Sequence, residues 1–186
     1  MRIVGGRFRG SRLASPGDRA IRPTSDRVRE AVFNIILHGS DDFEIAGARV
    51  LDLFAGTGAL GLEALSRGAG HALFVETSTA ARGLIRANAE QLDLMGEARI
   101  FRRDACRLGE AGRIAPFDLL FVDPPYGRGL GEQALESAHA GNWIADNALV
   151  VIEEATASAF ARPDGFILLD ERQYGETVVR FLRLSG

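Results

Sequence analysis

RVLDLFAGTGALGLEALSRG, residues 49 to 68, reads as strand, turn and helix in immediate succession. An apolar run interrupted only by Asp52 leads into Gly56-x-Gly58-x-x-Gly61, and LGLEALSR follows with apolar residues at helical spacing until Gly68 stops it. Glycines in that turn let the backbone come close to a nucleotide-like ligand at the start of a helix. The same pattern continues downstream. ALFVE (72 to 76) is a strand, 78 to 95 a helix, ARIFRRD (98 to 104) a strand, and a short helix runs to about 112. FDLLFVD (117 to 123) and ALVVIEE (148 to 154) are near-continuous apolar runs separated by a segment of helical length, as strands buried on both faces require. Strands alternating with helices predict right-handed βαβ units in a doubly wound, mostly parallel sheet. The last two strands, GFILLD (165 to 170) and ETVVRFLRL (176 to 184), are too close for a parallel crossover and should form an antiparallel hairpin, completing seven strands.

Upstream, TSDRVREAVFNIILHG (24 to 39) predicts a helix capped by Thr24 or Ser25, with Val28, Val32, Ile35 and Ile36 as its core-facing stripe. Residues 1 to 23 read as a basic arm or loose hairpin outside the main core, and 24 to 186 as the α/β domain. The net charge of -3 hides a strong asymmetry. Residues 1 to 30 carry eight arginines against Asp18, Asp26 and Glu30, a balance of +5 that leaves -8 on the remainder. Such an arm suits phosphate contact. All 22 basic residues are arginine, which we ascribe to compositional bias rather than to function. The first twenty residues contain no apolar stretch, nothing in the chain approaches a membrane span, and Cys106 is the single cysteine. These features predict a cytoplasmic protein with no internal disulfide and no metal site. His38, His71 and His139 form no ligand pattern, and Glu153 and Glu154 read as a solvated strand end.

Glu76, twenty residues beyond Gly56 at the end of a strand, is placed to accept hydrogens from both hydroxyls of a ribose. A nicotinamide dinucleotide would fit the same fingerprint, so other residues must decide the cofactor. A carboxylate inside the first strand is costly unless partnered, and a methionine ammonium would partner Asp52, although capping of the neighbouring turn would also account for it. Asp104 could accept from an adenine amino group or cap the helix that follows. Asp123-Pro124-Pro125-Tyr126 follows the fourth strand at the sheet's carboxyl edge, where doubly wound folds bind ligands. Two prolines make a rigid loop in which the Asp123 carboxylate and the Pro124 carbonyl both accept hydrogen bonds, ahead of an aromatic ring able to lie on a flat heterocycle. That arrangement suits the exocyclic amine of a base: accepting both its hydrogens aims the nitrogen lone pair at a sulfonium methyl, so the reaction expected is methyl transfer from S-adenosylmethionine.

These residues resemble a known family, the bacterial 16S ribosomal RNA guanine-N2 methyltransferases that modify guanine 966 of the small-subunit RNA. The resemblance runs through MRIVGGRFRGSRL (1 to 13), IRPTSDRVREAVFNII (21 to 36), LDLFAGTGALGLEALSRGA (51 to 69) and FVDPPYG (121 to 127). Its most diagnostic part is Arg22-Pro23-Thr24 leading into Asp26 to Glu30. The resemblance implies a Rossmann-like class I methyltransferase fold. It implies that Asp52, Phe54, Gly56, Gly58, Glu76, Asp104, Ala105 and Thr24 bind S-adenosylmethionine, and that Asp123, Pro124, Pro125 and Tyr126 hold a flipped guanine. Arg7, Arg9, Arg22, Arg27 and Arg128 would contact 16S rRNA in the 30S subunit or its late assembly intermediate, with the protein acting as a monomer. Rival readings are an adenine-N6 methyltransferase of DNA or RNA, a protein glutamine methyltransferase, for which Asn would be usual in place of Asp123, and a non-catalytic RNA-binding assembly factor. Residues 128 to 142 match no motif, so the contacts that select guanine are not read from the sequence.

Overall fold

A computed structural model describes residues 1 to 15, 25 to 39 and 43 to 185. Seven strands, β1 (Arg49–Leu53), β2 (His71–Val75), β3 (Ala98–Phe101), β4 (Phe117–Val122), β5 (Ile144–Ala155), β6 (Phe166–Tyr174) and β7 (Thr177–Leu184), form one sheet in the order β3-β2-β1-β4-β5-β7-β6. The first five are parallel; β7 pairs antiparallel with both β5 and β6. Helices α1 (Asp26–His38), α2 (Ala59–Ser66), α3 (Thr79–Gln91) and α4 (Leu130–Ala140) cover the two faces. Strand alternation divides the core accordingly. Val50, Leu119, Phe121, Val151 and Val179 pack with α1, α2 and α3, whereas Leu51, Leu120, Val150 and Leu182 pack with α4 and Trp143.

The expected doubly wound sheet and terminal hairpin are both present, with different boundaries. The hairpin is tighter than expected: Tyr174 pairs with Thr177 across the two residues Gly175 and Glu176, because the polar run Glu171 to Gln173 still makes ladder bonds to β7. The helix expected after Asp104 shrinks to one 3-10 turn, Ala105–Arg107, and the chain then takes positive φ at Gly109 and Gly112, which an α-helix cannot accommodate. Glu153 and Glu154 are not solvated. They are 8% and 4% exposed, since β5 continues to Ala155 and β7 covers its outer edge through the pairs Glu153 with Val179 and Glu154 with Val178.

The amino-terminal segment also departs from expectation. Residues 1 to 13 form a hairpin closed by the Arg2–Arg12 bridge, with Ile3 donating to Ser11 O at 2.9 Å, but it lies against the core rather than outside it. Ile3 is fully buried and Leu13 nearly so. The anchor is Glu63 of α2, a fully buried carboxylate that accepts from the amides of Val4 (2.8 Å) and Gly5 (2.7 Å) and from Arg67 Nε (2.8 Å), with Arg29 Nε at 3.6 Å. Ser66 fastens the next turn, taking Phe8 N at 3.0 Å and giving its hydroxyl to Gly5 O at 2.7 Å. The approach is so close that a Cβ on Gly6, whose φ is +76°, would stand 2.0 Å from Ser66 O. Ala14 exchanges two hydrogen bonds with the buried Asn88 amide of α3.

Arg29 joins this network instead of the basic surface. It is completely buried on α1, bonded to Asp26 at 2.8 Å and to the carbonyl of Arg2. The core side of α1 is consequently Arg29, Val32, Phe33 and Ile36, with Val28 and Ile35 only partly covered. Its cap is Ser25, which accepts from Val28 N. Arg2 pairs with Asp26 and Arg7 with Glu97, so part of the arm's formal charge is internally compensated.

Removing one member of a buried ion network strands the charges left behind. Glu63→Ala should therefore lower the unfolding free energy by about 3–5 kcal/mol, read as a drop in the urea midpoint; a midpoint equal to that of the unsubstituted protein would contradict this role for Glu63.

Candidate active site at the carboxyl edge of the sheet

The ends of four parallel strands bring four carboxylates together. Asp52 lies in β1, Glu76 directly follows β2, Asp123 directly follows β4, and Glu153 is near the end of β5. Side chains alternate between faces along a strand, so Asp52 shares the face of Val50, Glu76 that of Phe74, Asp123 that of Phe121, and Glu153 that of Val151. All four belong to the face covered by α1, α2 and α3. The parallel register aligns Asp52 with Phe121 and Val122 with Ile152, which sets Asp123 beside Glu153 one step further along.

Between β1 and α2 the chain turns sharply. Phe54 takes φ +61°, a left-handed conformation that is strained for a bulky residue, and Gly56 and Gly58 follow at +54° and +79°. Glu76 spans the turn: Oε2 accepts from Gly56 N at 2.9 Å, and Oε1 from Ser78 N at 2.7 Å, just before α3. Asp52, 1% exposed, accepts from Gly61 N at 3.0 Å. Both carboxylates thus hold the turn and at the same time line the cavity beside it. Burial pushes the Asp52 carboxyl up to about 8, opposed by the Gly61 amide and reinforced by the nearby Glu76. Such a carboxyl is ready to ionise against a cation.

The loop after β4 is held from β5. Glu154, on the α4 face, accepts from Gly127 N (3.0 Å), Ala155 N (2.9 Å) and Ser158 Oγ (3.1 Å) through one oxygen. On the opposite face Glu153 Oε1 accepts the hydroxyl of Tyr126, and Thr177 Oγ1 lies 3.5 Å from the same phenol oxygen. Burial and the bond to Glu153 raise the phenol well above its ordinary range, so Tyr126 remains a neutral donor. Neither glutamate stands out in the sequence, where both look like the polar end of an apolar run; their proximity to Asp123-Pro124-Pro125-Tyr126 follows only from the β4–β5 register.

A cavity of about 580 Å³ runs along this edge, a size usual for small-molecule sites. It is lined by Asp52, Phe54, Gly56, Thr57, Glu76 and Thr77 from the first two strand ends, by Asp123, Pro124, Pro125, Tyr126, Glu153 and Thr177 from the last strands and the loop after β4, and by Ser25, the cap of α1, Val28 of α1 and Tyr174 of β6. The structure therefore unites most of the catalytic and cofactor-binding candidates singled out in the sequence, and none of the arginines. Gly58 caps α2 behind the turn. Asp104 and Ala105 are not among the lining residues: Asp104 Oδ1 accepts from Cys106 N at 2.9 Å as a cap, and Ala105 is buried against the α4 side. Arg7, Arg9, Arg27 and Arg128 are exposed. Thr24 and Arg22 lie outside the described residues. Among the described residues no group of His, Cys, Asp and Glu has the arrangement of a metal site, and no helix is long and apolar enough to cross a membrane.

A family model described as "Conserved hypothetical protein 95" matches residues 1–183. The chain is 37% identical over 182 residues to the Escherichia coli K12 protein named Ribosomal RNA small subunit methyltransferase D, covering 97% of this chain and 88% of that one. It is 32% identical over 189 residues to a Bacillus subtilis protein named Putative rRNA methyltransferase YlbH, with both chains covered in full. Among solved structures, the putative methyltransferase yhhF from Escherichia coli superimposes with a TM-score of 0.84 at 35% identity, over 100% of this chain and 98% of that one. The fold is that of the class I methyltransferases.

Packing behind the turn is tight at Gly61, where a Cβ would stand 2.4 Å from the buried Phe74 ring and 3.1 Å from Asp52 Oδ2. Gly61→Ala should destabilise the protein by about 1–3 kcal/mol, despite alanine's better helix propensity, because the ring has nowhere to move. Thermal unfolding checks this; an unchanged or raised midpoint would refute it.

Proposed function

We propose for this chain, which belongs to the family described as Conserved hypothetical protein 95, methyl transfer from S-adenosylmethionine to the exocyclic N2 of a guanine in 16S rRNA. The observation that carries this reading is the single cavity in which the turn with Asp52 and Glu76 meets the loop Asp123 to Tyr126. The cavity's charge favours this cofactor over a dinucleotide. The acidic groups on one face, among them Asp52, which ionises against a cation, attract an ammonium and a sulfonium, and they would repel a pyrophosphate. Asp52 is the partner for the ammonium, Glu76 for the ribose, and Phe54 packs at the turn. Thr24 completes the cofactor's surroundings on the strength of the family resemblance. Bound there, the cofactor supplies a methyl group on a sulfur that leaves as a neutral thioether.

The protein's own contribution is placement. Asp123 and the Pro124 carbonyl accept the two hydrogens of the amine, directing its lone pair towards the methyl, and Tyr126 offers a ring face to the flipped base. Asp123 then takes the proton that the nitrogen gives up. Pro125 and the bonds donated to Glu154 by Gly127 N and Ser158 Oγ keep the loop rigid. The choice of 16S rRNA follows the names of relatives that align over nearly the whole chain. Arg7, Arg9, Arg22, Arg27 and Arg128 are assigned to phosphates of the 30S subunit or its late precursor, for a monomeric enzyme acting in the cytoplasm. In this reading residues 1 to 23 are the RNA-contacting arm of a methyltransferase domain formed by 24 to 186.

Asp123→Ala should reduce methyl transfer by roughly 10²-fold or more while cofactor binding is retained. The assay uses labelled cofactor, small subunits from cells lacking this protein, and digestion to nucleosides. Label in N2-methylguanosine supports the assignment, whereas label in N6-methyladenosine, or transfer only to duplex DNA, overturns it. Cofactor binding should also depend on pH through Asp52. In the free protein its carboxyl is mostly protonated below about 8, and a cation requires the carboxylate, so binding expels a proton. Affinity should rise with pH, by up to about tenfold per unit, as pH approaches that value. Calorimetry in buffers of different ionisation enthalpy should detect the released proton, and Asp52→Asn should abolish both the proton release and the slope.

A further inference from the structure

At the opposite edge of the sheet, where the parallel strands begin, a second cavity of about 370 Å³ carries the reverse charge. Its lining includes Arg49, His71, Arg99 and Arg113 beside the apolar side chains of Leu73 and Phe101, and no acidic residue. The strand register makes this grouping. Arg49 pairs with His71 and Leu73 with Arg99, and residues two apart on a strand share a face, so Arg49, His71, Leu73, Arg99 and Phe101 all stand on the α4 side. That side is open here because the connection from β3 to β4 forms only one 3-10 turn, Ala105–Arg107, where a doubly wound sheet normally carries a helix. The same connection returns to the sheet through Arg113, which adds the third guanidinium.

These cations have no anionic partner among the described residues. Arg49 is fixed by two carbonyls, Nε donating to Pro116 O and Nη2 to Ala115 O, both at 3.1 Å, with its guanidinium 4.9 Å over the Phe117 ring. The Asp118 carboxylate takes the main-chain amide of Arg49 at 2.8 Å, not its side chain. His71 stacks on the same Phe117 ring at 6.4 Å, and its nitrogens bond to no described residue. Arg99 and Arg113 make neither a hydrogen bond nor an ion pair with a described residue. Like charges gathered in this way repel one another. The effect is visible at His71, whose imidazole is held below its ordinary range by burial and by Arg49 and Arg99. A single carboxylate satisfies one guanidinium. Three guanidiniums and an imidazole match instead the several accepting oxygens and higher charge of a phosphate.

We infer that this cavity at the amino edge of the sheet is a phosphate-binding site, in which Arg49, Arg99 and Arg113 hold the phosphate oxygens and His71 donates to one of them. It is separated from the carboxylate-lined cavity by the length of the strands, and it does not depend on the reaction proposed above. The same group can be offered by an RNA backbone or by a free phosphate compound.

The test titrates inorganic phosphate into the unsubstituted protein at constant ionic strength and follows the His71 imidazole by NMR, with His71→Asn giving the assignment. A saturable shift is expected, with the His71 titration midpoint raised because the bound anion offsets the guanidiniums. Arg99→Ala/Arg113→Ala removes two exposed side chains that hold no described partner, so the fold should stand while phosphate affinity falls at least about tenfold. Arg86→Ala/Arg162→Ala removes the same charge at exposed positions outside both cavities and should change the affinity by less than about twofold. No saturable response in the unsubstituted protein would overturn the inference, even if every variant failed to fold. A response that Arg99→Ala/Arg113→Ala leaves unchanged would overturn it too, as would equal weakening by the control pair, which would show attraction to overall charge alone. A second arm identifies the source of the phosphate by measuring binding to small subunits over a range of salt. Weaker binding by Arg99→Ala/Arg113→Ala, with a salt slope shallower by about one or two, assigns the phosphate to RNA. Unchanged binding and slope assign it to a free phosphate compound, and either outcome supports the site.

Discussion

One buried carboxylate, Glu63, ties together three segments that are distant in sequence. Its two oxygens satisfy the amides of Val4 and Gly5 and the Arg67 guanidinium, and its charge faces Arg29. Without that anion Arg29 would lose its fully buried counter-charge, and the first hairpin would lose its fixed point on α2. The consequences reach the cavity. Arg29 directly follows Val28 and lies one turn after Ser25, both of which line the cavity, so the network that seats the hairpin also sets the height of α1 over the site. Helix α2 therefore has two functions: its first residue follows the glycine turn, and its middle and end carry the arm.

That dual use explains what was legible in the sequence. Apolar runs and turn glycines exposed the parallel sheet because burial on both faces leaves a local imprint. Asp52, Glu76 and Asp123 were visible because each follows or interrupts such a run at a recognisable place. Glu63, Arg29, Glu153 and Glu154 were not. On a helix, Glu63 and Arg67 have the i,i+4 spacing of a solvated pair, and Arg29 looks like one more positive charge in a basic arm. Only the hairpin folding back over some sixty residues turns them into an interior network. The pair Glu153-Glu154 likewise resembles a frayed strand end until β7 pairs along it. These partners are distant in sequence, and no local pattern records them.

Strand alternation also has an electrostatic result that a net charge cannot express. Placing Asp52, Glu76, Asp123 and Glu153 on one face at one edge concentrates negative potential in a half-enclosed cavity, where the low surrounding dielectric strengthens it. The cost is visible at Asp52, whose carboxyl is pushed up to about 8. In the proposed reaction the cofactor's ammonium and sulfonium relieve this repulsion on binding. Part of that attraction is lost after transfer, when the sulfonium has become a neutral thioether, which favours release of the spent cofactor.

The same potential constrains how a nucleic acid could approach. A polyanion is repelled by the cavity and attracted by exposed arginines such as Arg9, Arg27 and Arg128. The two demands are compatible only if phosphates stay outside on the basic surface while a neutral base alone enters among the carboxylates. Extruding a base separates the two chemically, since the heterocycle carries donors and no charge, whereas its backbone carries the charge. An acidic pocket beside a basic arm is therefore not a contradiction in an RNA-modifying protein. It admits the base and excludes the phosphate.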